Sequence, residues 1–157
     1  MNKYRSHNCS ELSEKEINKT VHLSGWLHRK RDHGNLLFID LRDHYGITQC
    51  VIENKNNFFP ILEKTKPESV LKISGKVVKR SAGTENLDLK TGKIEVSISS
   101  IEVLSNAKEL PMPVFGEQDY PEDIRLKYRF LDLKIIFLCI SSLLKSRNLY
   151  LSLISSG

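Results

Sequence analysis

Apolar and polar residues alternate along most of the first hundred or so positions, and this period of two constrains the fold more than any other feature. In a strand, successive side chains point to opposite faces, so alternation marks one buried and one exposed face. Four stretches show the alternation, at Val21–Leu27, Leu37–Leu41, Leu71–Val77 and Ile94–Ile98, and a tight connection after the second leads into a further strand at Ile47–Glu53. The sequence therefore predicts five strands rather than a mainly helical domain.

One segment between the third and fourth strands has a helical period instead. Phe58, Ile61 and Leu62 recur at the spacing of one helix face, and Pro67 closes the segment. The spacing predicts a short helix around Asn57–Lys66 with these three apolar side chains on one face.

Two irregularities indicate that the strands bend. The apolar positions change parity between Ile98 and Ile101, which predicts a bulge near Ser99–Ser100. Gly25 and Gly75 lie in the middle of strands, where a glycine commonly marks a sharp bend in a barrel.

Five strands with one helix between the third and fourth form the pattern of an OB-fold, a small Greek-key barrel. We predict this all-β barrel with one helix for residues 1–106, and a generic α+β domain is the alternative. Residues 107–133 hold Pro111, Pro113 and Pro121 without a strand period, which predicts an irregular linker. Residues 134–157 are predicted to be a short tail, helical or disordered.

The composition excludes several classes of protein. With 157 residues, 39% hydrophobic and 27% charged, the chain resembles one soluble domain and is too short for a two-domain enzyme. Its longest apolar run, Ile135–Ile140, falls far below the roughly 20 residues that cross a bilayer. Three cysteines without a C-x-x-C pair argue against a disulfide framework or a zinc site and favour the cytoplasm.

The net charge is unevenly distributed. Residues 134–157 contribute +3 of the formal +5, which leaves only +2 for the remaining residues. Contact with nucleic acid must therefore come from a local patch. The run His28–Arg31 carries three certain positive charges in four positions. It is interpreted either as a phosphate-attracting patch or as a solvated strand end.

The second and third strands carry the most informative side chains. A hairpin centred between His44 and Tyr45 places Phe38 opposite Val51, and Asp40 opposite Gln49. Phe38 and Gln49 then lie diagonally on one face, where a ring can stack on a base and an amide can read its edge. The alternative is that a loop covers Phe38.

No catalytic constellation stands out. The five histidines lack metal-ligand spacing, and neither a nucleophile elbow nor a phosphate-binding loop occurs. Asp40, Asp43, Glu53 and Glu95 can supply paired carboxylates, but acids at strand edges are usually solvated. The residues therefore predict binding rather than catalysis.

Several runs together resemble the anticodon-binding domain of bacterial aspartyl-tRNA synthetases. They are GWLHRKRDHG at 25–34, LFIDLRD at 37–43, GITQ at 46–49, TGKIEV at 91–96 and RLKYRFLDL at 125–133. The resemblance covers about residues 1–133. It implies an OB-fold that binds the anticodon loop of tRNA, followed in the family enzymes by a class II domain that activates aspartate with ATP and magnesium.

The resemblance also assigns roles to residues. It implies that Phe38 stacks on the central uracil of the anticodon and that Arg31, Gln49 and Glu95 read base edges. Some family members charge both the aspartate and the asparagine tRNA. They tend to have His-Gly after Arg-Asp, as at His33, and a glycine in a later loop, as at Gly83. These two residues are therefore expected to bear on specificity.

The resemblance ends at Leu133. The following 24 residues contain no acid and six serines, a composition typical of translation in a shifted frame, with an improvised partner helix as the alternative. The family's catalytic motifs are missing, so we expect a truncated, inactive fragment without a cofactor of its own. The family enzymes are homodimers, and their dimer contacts lie largely in the class II domain. The resemblance over residues 1–133 therefore does not predict a dimer for this chain. The alternative function is a free-standing OB-fold that binds single-stranded nucleic acid or a protein.

Overall fold

The computed structural model describes residues 3–81, 83–112 and 120–133, which fall into two compact units divided after Lys108. The first unit is a closed barrel with the strand order β1-β2-β3-β5-β4. The elements are β1 (Thr20–Asp32), β2 (Leu36–Arg42), β3 (Ile47–Glu53), α1 (Phe59–Lys64), β4 (Val70–Lys79), β5 (Ile94–Ser105) and α2 (Glu122–Lys127). The predicted five-stranded barrel is confirmed, and its closure distinguishes it from a generic α+β domain.

The alternating positions fill the barrel as predicted. Leu23, Ile39 and Ile73, from three different strands, are completely buried, and each contributes roughly 1.5–3 kcal/mol to stability. The outward positions of the same strands are polar or only partly covered. The barrel interior is therefore a packed core, and any binding surface lies on its outside.

The hairpin of β2 and β3 has the predicted register. Phe38 pairs with Val51, and Asp40 pairs with Gln49. Asp43 forms the turn, because its Oδ1 accepts hydrogen bonds from the backbone N–H groups of Tyr45 (2.8 Å) and Gly46 (2.9 Å). This buried carboxylate, which the sequence offered as a catalytic candidate, is thus occupied in a structural role.

Both mid-strand glycines lie where another strand crosses closely. A Cβ on Gly25 would lie 2.3 Å from the carbonyl oxygen of Arg42, and one on Gly75 would lie 2.3 Å from that of Ser97. The register of β4 and β5 shifts beside Gly75, which leaves Ser99 without a paired residue. The predicted bulge is confirmed, and any side chain larger than that of glycine would clash with the crossing strand at these two points.

Helix α1 packs through a different face from the one predicted. Phe59 and Leu62 are buried, whereas Ile61 is 44% exposed. The helix begins at Phe59 with Pro60 in its first turn, so Phe58 becomes its N-cap. Residues three apart share a helix face, which places Phe59 with Leu62 and turns Ile61 to solvent. The predicted face is therefore wrong at Ile61, whereas Leu62 is buried and Phe58 packs partly buried against the core.

The second unit has a small apolar cluster of its own. Met112 and Leu131 are buried, with Leu110, Tyr120 and Tyr128 packed against them. The segment predicted as an irregular linker thus contains the short helix α2 and a local core. The prediction for the tail at 134–157 lies outside the described residues. In the described part of the chain, no helix is long and apolar enough to cross a membrane.

Candidate nucleic-acid interface

A groove of about 420 Å³ lies on the outer face of the barrel, within the size range of roughly 300–1,000 Å³ for ligand sites. It is lined by Arg29, Arg31, His33, Phe38, Asp40, Gln49, Arg80, Thr84, Asn86 and Leu89. Four of the six predicted site residues are in this set. Glu95 and Gly83 are not, although Glu95 is hydrogen-bonded to Gln49 and Gly83 precedes Thr84.

A bulge in β1 places two arginines on this face. Leu27 pairs with Leu41, but after the bulge Arg29 pairs with Asp40, so the register has shifted by one residue. Without the shift, Arg29 would lie opposite the buried Ile39 and would face the core. The sequence carried a signal for this bulge that the prediction missed: the inward parity ends at Leu27 and charged residues follow it.

Lys30 faces a different environment from its two arginine neighbours. Its Nζ donates hydrogen bonds to the backbone carbonyls of Glu63 (2.5 Å) and Thr65 (3.0 Å), at the end of α1. Burial lowers the pKa of Lys30, and the nearby Glu63 partly opposes this shift. The lysine caps the helix and binds its negative dipole end. Only Arg29 and Arg31 of the basic run face the groove.

Four side chains form a hydrogen-bonded row across four neighbouring strands. Arg31 Nη2 lies 2.9 Å from Asp40 Oδ1 and 3.3 Å from Gln49 Oε1. The Nε2 of Gln49 in turn donates to Glu95 Oε2 at 2.8 Å. The pairing of β3 with β5, which aligns Cys50 with Val96, brings Glu95 beside Gln49. The structure thus brings together Arg31, Gln49 and Glu95 and adds Asp40 to them.

Phe38 lies in the same groove with its ring partly covered. The His33 ring meets it edge-on, with centroids 5.4 Å apart and an interplanar angle of 88°. His33 is positioned by a turn in which Gly34 has a φ of 73° and donates its N–H to Asp32 Oδ1. The alternative that a loop covers Phe38 holds in part, because His33 packs against the ring, which still lines the groove.

Arg80 is a groove residue that the sequence analysis missed. It is only 5% exposed, and its Nε and Nη1 donate to the carbonyls of Ile94 (3.0 Å) and Thr84 (3.4 Å). Its Nη2 is buried without a hydrogen-bond partner among the residues that the structure describes. Burial lowers the pKa of Arg80, and the nearby Glu95 opposes this shift. A buried cation with an unused donor is costly to fold.

The remaining predicted residues have local structural roles. Gly83 has a φ of 84° in a turn where the Thr84 N–H and hydroxyl both donate to the Ser81 carbonyl, so a glycine is favoured there. Its role in specificity, like that of His33, stays a prediction. Glu53 pairs with Lys55 at 2.8 Å. Within the described residues, no group of three or more His, Cys, Asp or Glu side chains can hold a metal ion.

A closed five-stranded barrel with an aromatic ring, arginines and a fixed amide on its outer face defines an OB-fold of the nucleic-acid-binding class. The chain belongs to the tRNA anti-codon family of OB-fold nucleic acid binding domains, whose family model matches residues 21–104.

Curated relatives support the predicted resemblance. The chain is 64% identical over 134 residues to the aspartate–tRNA(Asp/Asn) ligase of Pelagibacter ubique, which covers 85% of this chain and 23% of the relative. It is 60% identical over 134 residues to the ligase of the same name from Bradyrhizobium diazoefficiens, with the same coverage. The chain thus spans about a quarter of the length of these relatives.

A solved structure shows the same architecture. The asparaginyl-tRNA synthetase of Pyrococcus horikoshii matches 80% of this chain and 29% of its own, with a TM-score of 0.65 and 29% identity. The resemblance to aspartyl-tRNA synthetases is confirmed. These comparisons favour an anticodon-binding domain over an unrelated free-standing OB-fold.

Proposed function

We propose that this chain binds the anticodon loop of the aspartate tRNA, and also of the asparagine tRNA, through the groove around Phe38. The row from Arg31 through Gln49 to Glu95 beside an open aromatic ring is the observation that carries the proposal. Stacking supplies affinity for any base, whereas the fixed amide and carboxylate supply an edge that distinguishes bases.

The side chains divide this work by their chemistry. Phe38 stacks on the central base, Gln49 faces its edge, and Glu95 accepts from the amino or imino groups of a neighbouring base. Arg31 and Arg80 add donors for base oxygens or phosphates. The names of the relatives specify both tRNAs, and the two anticodons share their first two bases, so one groove can serve both.

Other parts of the family's activity are not assigned to the described residues. We propose aspartate activation with ATP and magnesium only for the full-length family enzymes, and the same holds for dimerisation. We propose the cytoplasm as the compartment, a location that the free thiols of Cys9 and Cys50 support.

The test is a titration of a 17-nucleotide anticodon stem-loop against Phe38→Ala. Loss of stacking should weaken binding by about 1–3 kcal/mol, or about 5- to 150-fold, with an unchanged melting temperature. Lys72→Ala is the control, because Lys72 pairs with Glu102 at 3.4 Å and does not line the groove. Equal affinities of Phe38→Ala and the parent, or equal binding of an unrelated single strand, would overturn the proposal.

A further inference from the structure

The carboxamide of Gln49 is held in one of its two orientations by partners at both ends. Its oxygen accepts from Arg31 at 3.3 Å, and its nitrogen donates to Glu95 at 2.8 Å. A half-turn of the amide would place its N–H₂ against the arginine donor and its oxygen against the carboxylate. Both contacts would become repulsive, so the orientation is determined by charge rather than by packing.

This orientation has a consequence for base recognition. An amide offers one donor and one acceptor side by side, and a half-turn exchanges their order. The edge of uracil presents an acceptor at O4 and then a donor at N3, whereas cytosine presents a donor at N4 and then an acceptor at N3. For a base held in one pose on Phe38, one amide orientation fits uracil and the other fits cytosine.

Asp40 is the residue that keeps Arg31 in this arrangement. Its carboxylate lies 2.9 Å from Arg31 Nη2, the same nitrogen that donates to Gln49. The Asp40 side chain is only 13% exposed, whereas that of Arg31 is 50% exposed. A half-exposed arginine without this partner would spend much of its time in solvent, and the oxygen of Gln49 would lose its donor.

We propose that Asp40 is a positioning residue that determines the preference for uracil over cytosine at the central anticodon position without reading the base itself. It acts through Arg31 on the orientation of the Gln49 amide, and Glu95 acts on the other end. This inference rests on the proposed function, because it assumes that the groove reads a base.

The test replaces Asp40 by asparagine and compares two stem-loops that differ only in having uracil or cytosine at the centre. The parent should prefer uracil about tenfold or more, since one good bidentate contact distinguishes bases to about that degree. Asp40→Asn should lower this ratio by about threefold or more, because Glu95 alone then holds the amide and its reversed orientation becomes more populated. A purely electrostatic role would raise the affinity for both RNAs equally and leave the ratio unchanged.

The matched control is Glu102→Gln, which also removes one carboxylate charge but on the β4–β5 side of the barrel. It should leave the ratio at its parental value. Thermal unfolding of each variant shows whether the barrel is intact. An unchanged ratio in a folded Asp40→Asn variant that still binds RNA would overturn the inference.

A second measurement needs no RNA and separates this inference from the proposed function. The side-chain N–H₂ signals of Gln49 in a ¹H–¹⁵N spectrum of the free protein report its hydrogen bonds. We expect Asp40→Asn to shift or broaden them and Glu102→Gln to leave them in place. If the parent fails to bind the stem-loop, the proposed function fails; shifted signals would still support the positioning role, and unchanged signals would overturn it.

Discussion

Replacement of Arg80 by methionine should weaken RNA binding while changing stability little. Methionine keeps most of the length and apolar volume of arginine but removes its charge and all five donors. Its Nε and Nη1 donate to the carbonyls of Ile94 and Thr84, and its Nη2, which carries two N–H groups, has no partner among the described residues.

Stability changes little because two large terms oppose each other. A hydrogen bond from a charged donor contributes about 1.5–3 kcal/mol, but the contact with Thr84 is long at 3.4 Å and contributes less. Against this loss, burial of the cation and of its unpaired donor costs an amount of the same order, about 1–3 kcal/mol or more. We expect the free energy of unfolding to change by no more than about 1.5 kcal/mol.

Binding should change more. If the free donor of Arg80 binds an RNA oxygen, its loss should cost about 1.5–3 kcal/mol, or about 10- to 150-fold in affinity. Urea unfolding and stem-loop titration at two salt concentrations measure both quantities. A phosphate contact would also lower the salt slope by about 0.7, whereas a base contact would leave it unchanged.

Lys79→Met is the matched control, since Lys79 is the exposed residue immediately before Arg80 on β4. It removes the same charge without entering the groove and should change affinity by much less. The reasoning is refuted if Arg80→Met lowers the free energy of unfolding by more than about 3 kcal/mol and the folded variant still binds RNA with parental affinity. Arg80 would then have a structural role alone.

Three further perturbations test the barrel itself. Gly25→Ala places a Cβ 2.3 Å from the Arg42 carbonyl oxygen, so urea unfolding should show a loss of several kcal/mol; parental stability would contradict the close approach. Lys30→Met removes the cap of α1 and should lower the free energy of unfolding by about 1–2 kcal/mol. An unchanged free energy of unfolding would mean that water replaces the lysine at the end of the helix. Burial raises the pKa of the Cys9 and Cys50 thiols, so they stay protonated in the barrel while the unfolded chain ionises near pH 8.5. Stability should therefore fall as pH rises above about 8.5, and equal unfolding free energies at about pH 7 and 9.5 would contradict this.

The sequence was sufficient for the features that depend on local alternation. The register of β2 and β3 follows from it, because Leu37, Ile39 and Leu41 must all face inward and a slip of one residue would expose them. The bulge at Ser99 follows in the same way from a change of parity. In each case the sequence neighbours of a residue determine its side of the sheet.

The roles of Lys30 and Arg80 could not be predicted in this way. Lys30 is one of several basic residues in a run, and only the position of α1 shows that its partners are the carbonyls of Glu63 and Thr65. Arg80 stands at the start of a polar loop and is buried by contacts with β5 and Thr84. Their partners are non-local in sequence or depend on the path of a loop, so the pattern of residues alone does not identify them.

The row of hydrogen-bonded side chains on the outer face depends on several strands of the barrel and not on any one hairpin. Arg31, Asp40 and Gln49 come from the successive paired strands β1, β2 and β3, and Glu95 joins them because β3 also pairs with β5. An isolated β2–β3 hairpin would keep Asp40 and Gln49 but would lose the charged partners that orient the amide. Substitutions that loosen the barrel at Gly75, far along the chain from Gln49, should therefore reduce discrimination between bases before they abolish binding, because stacking on one ring needs less order than reading an edge.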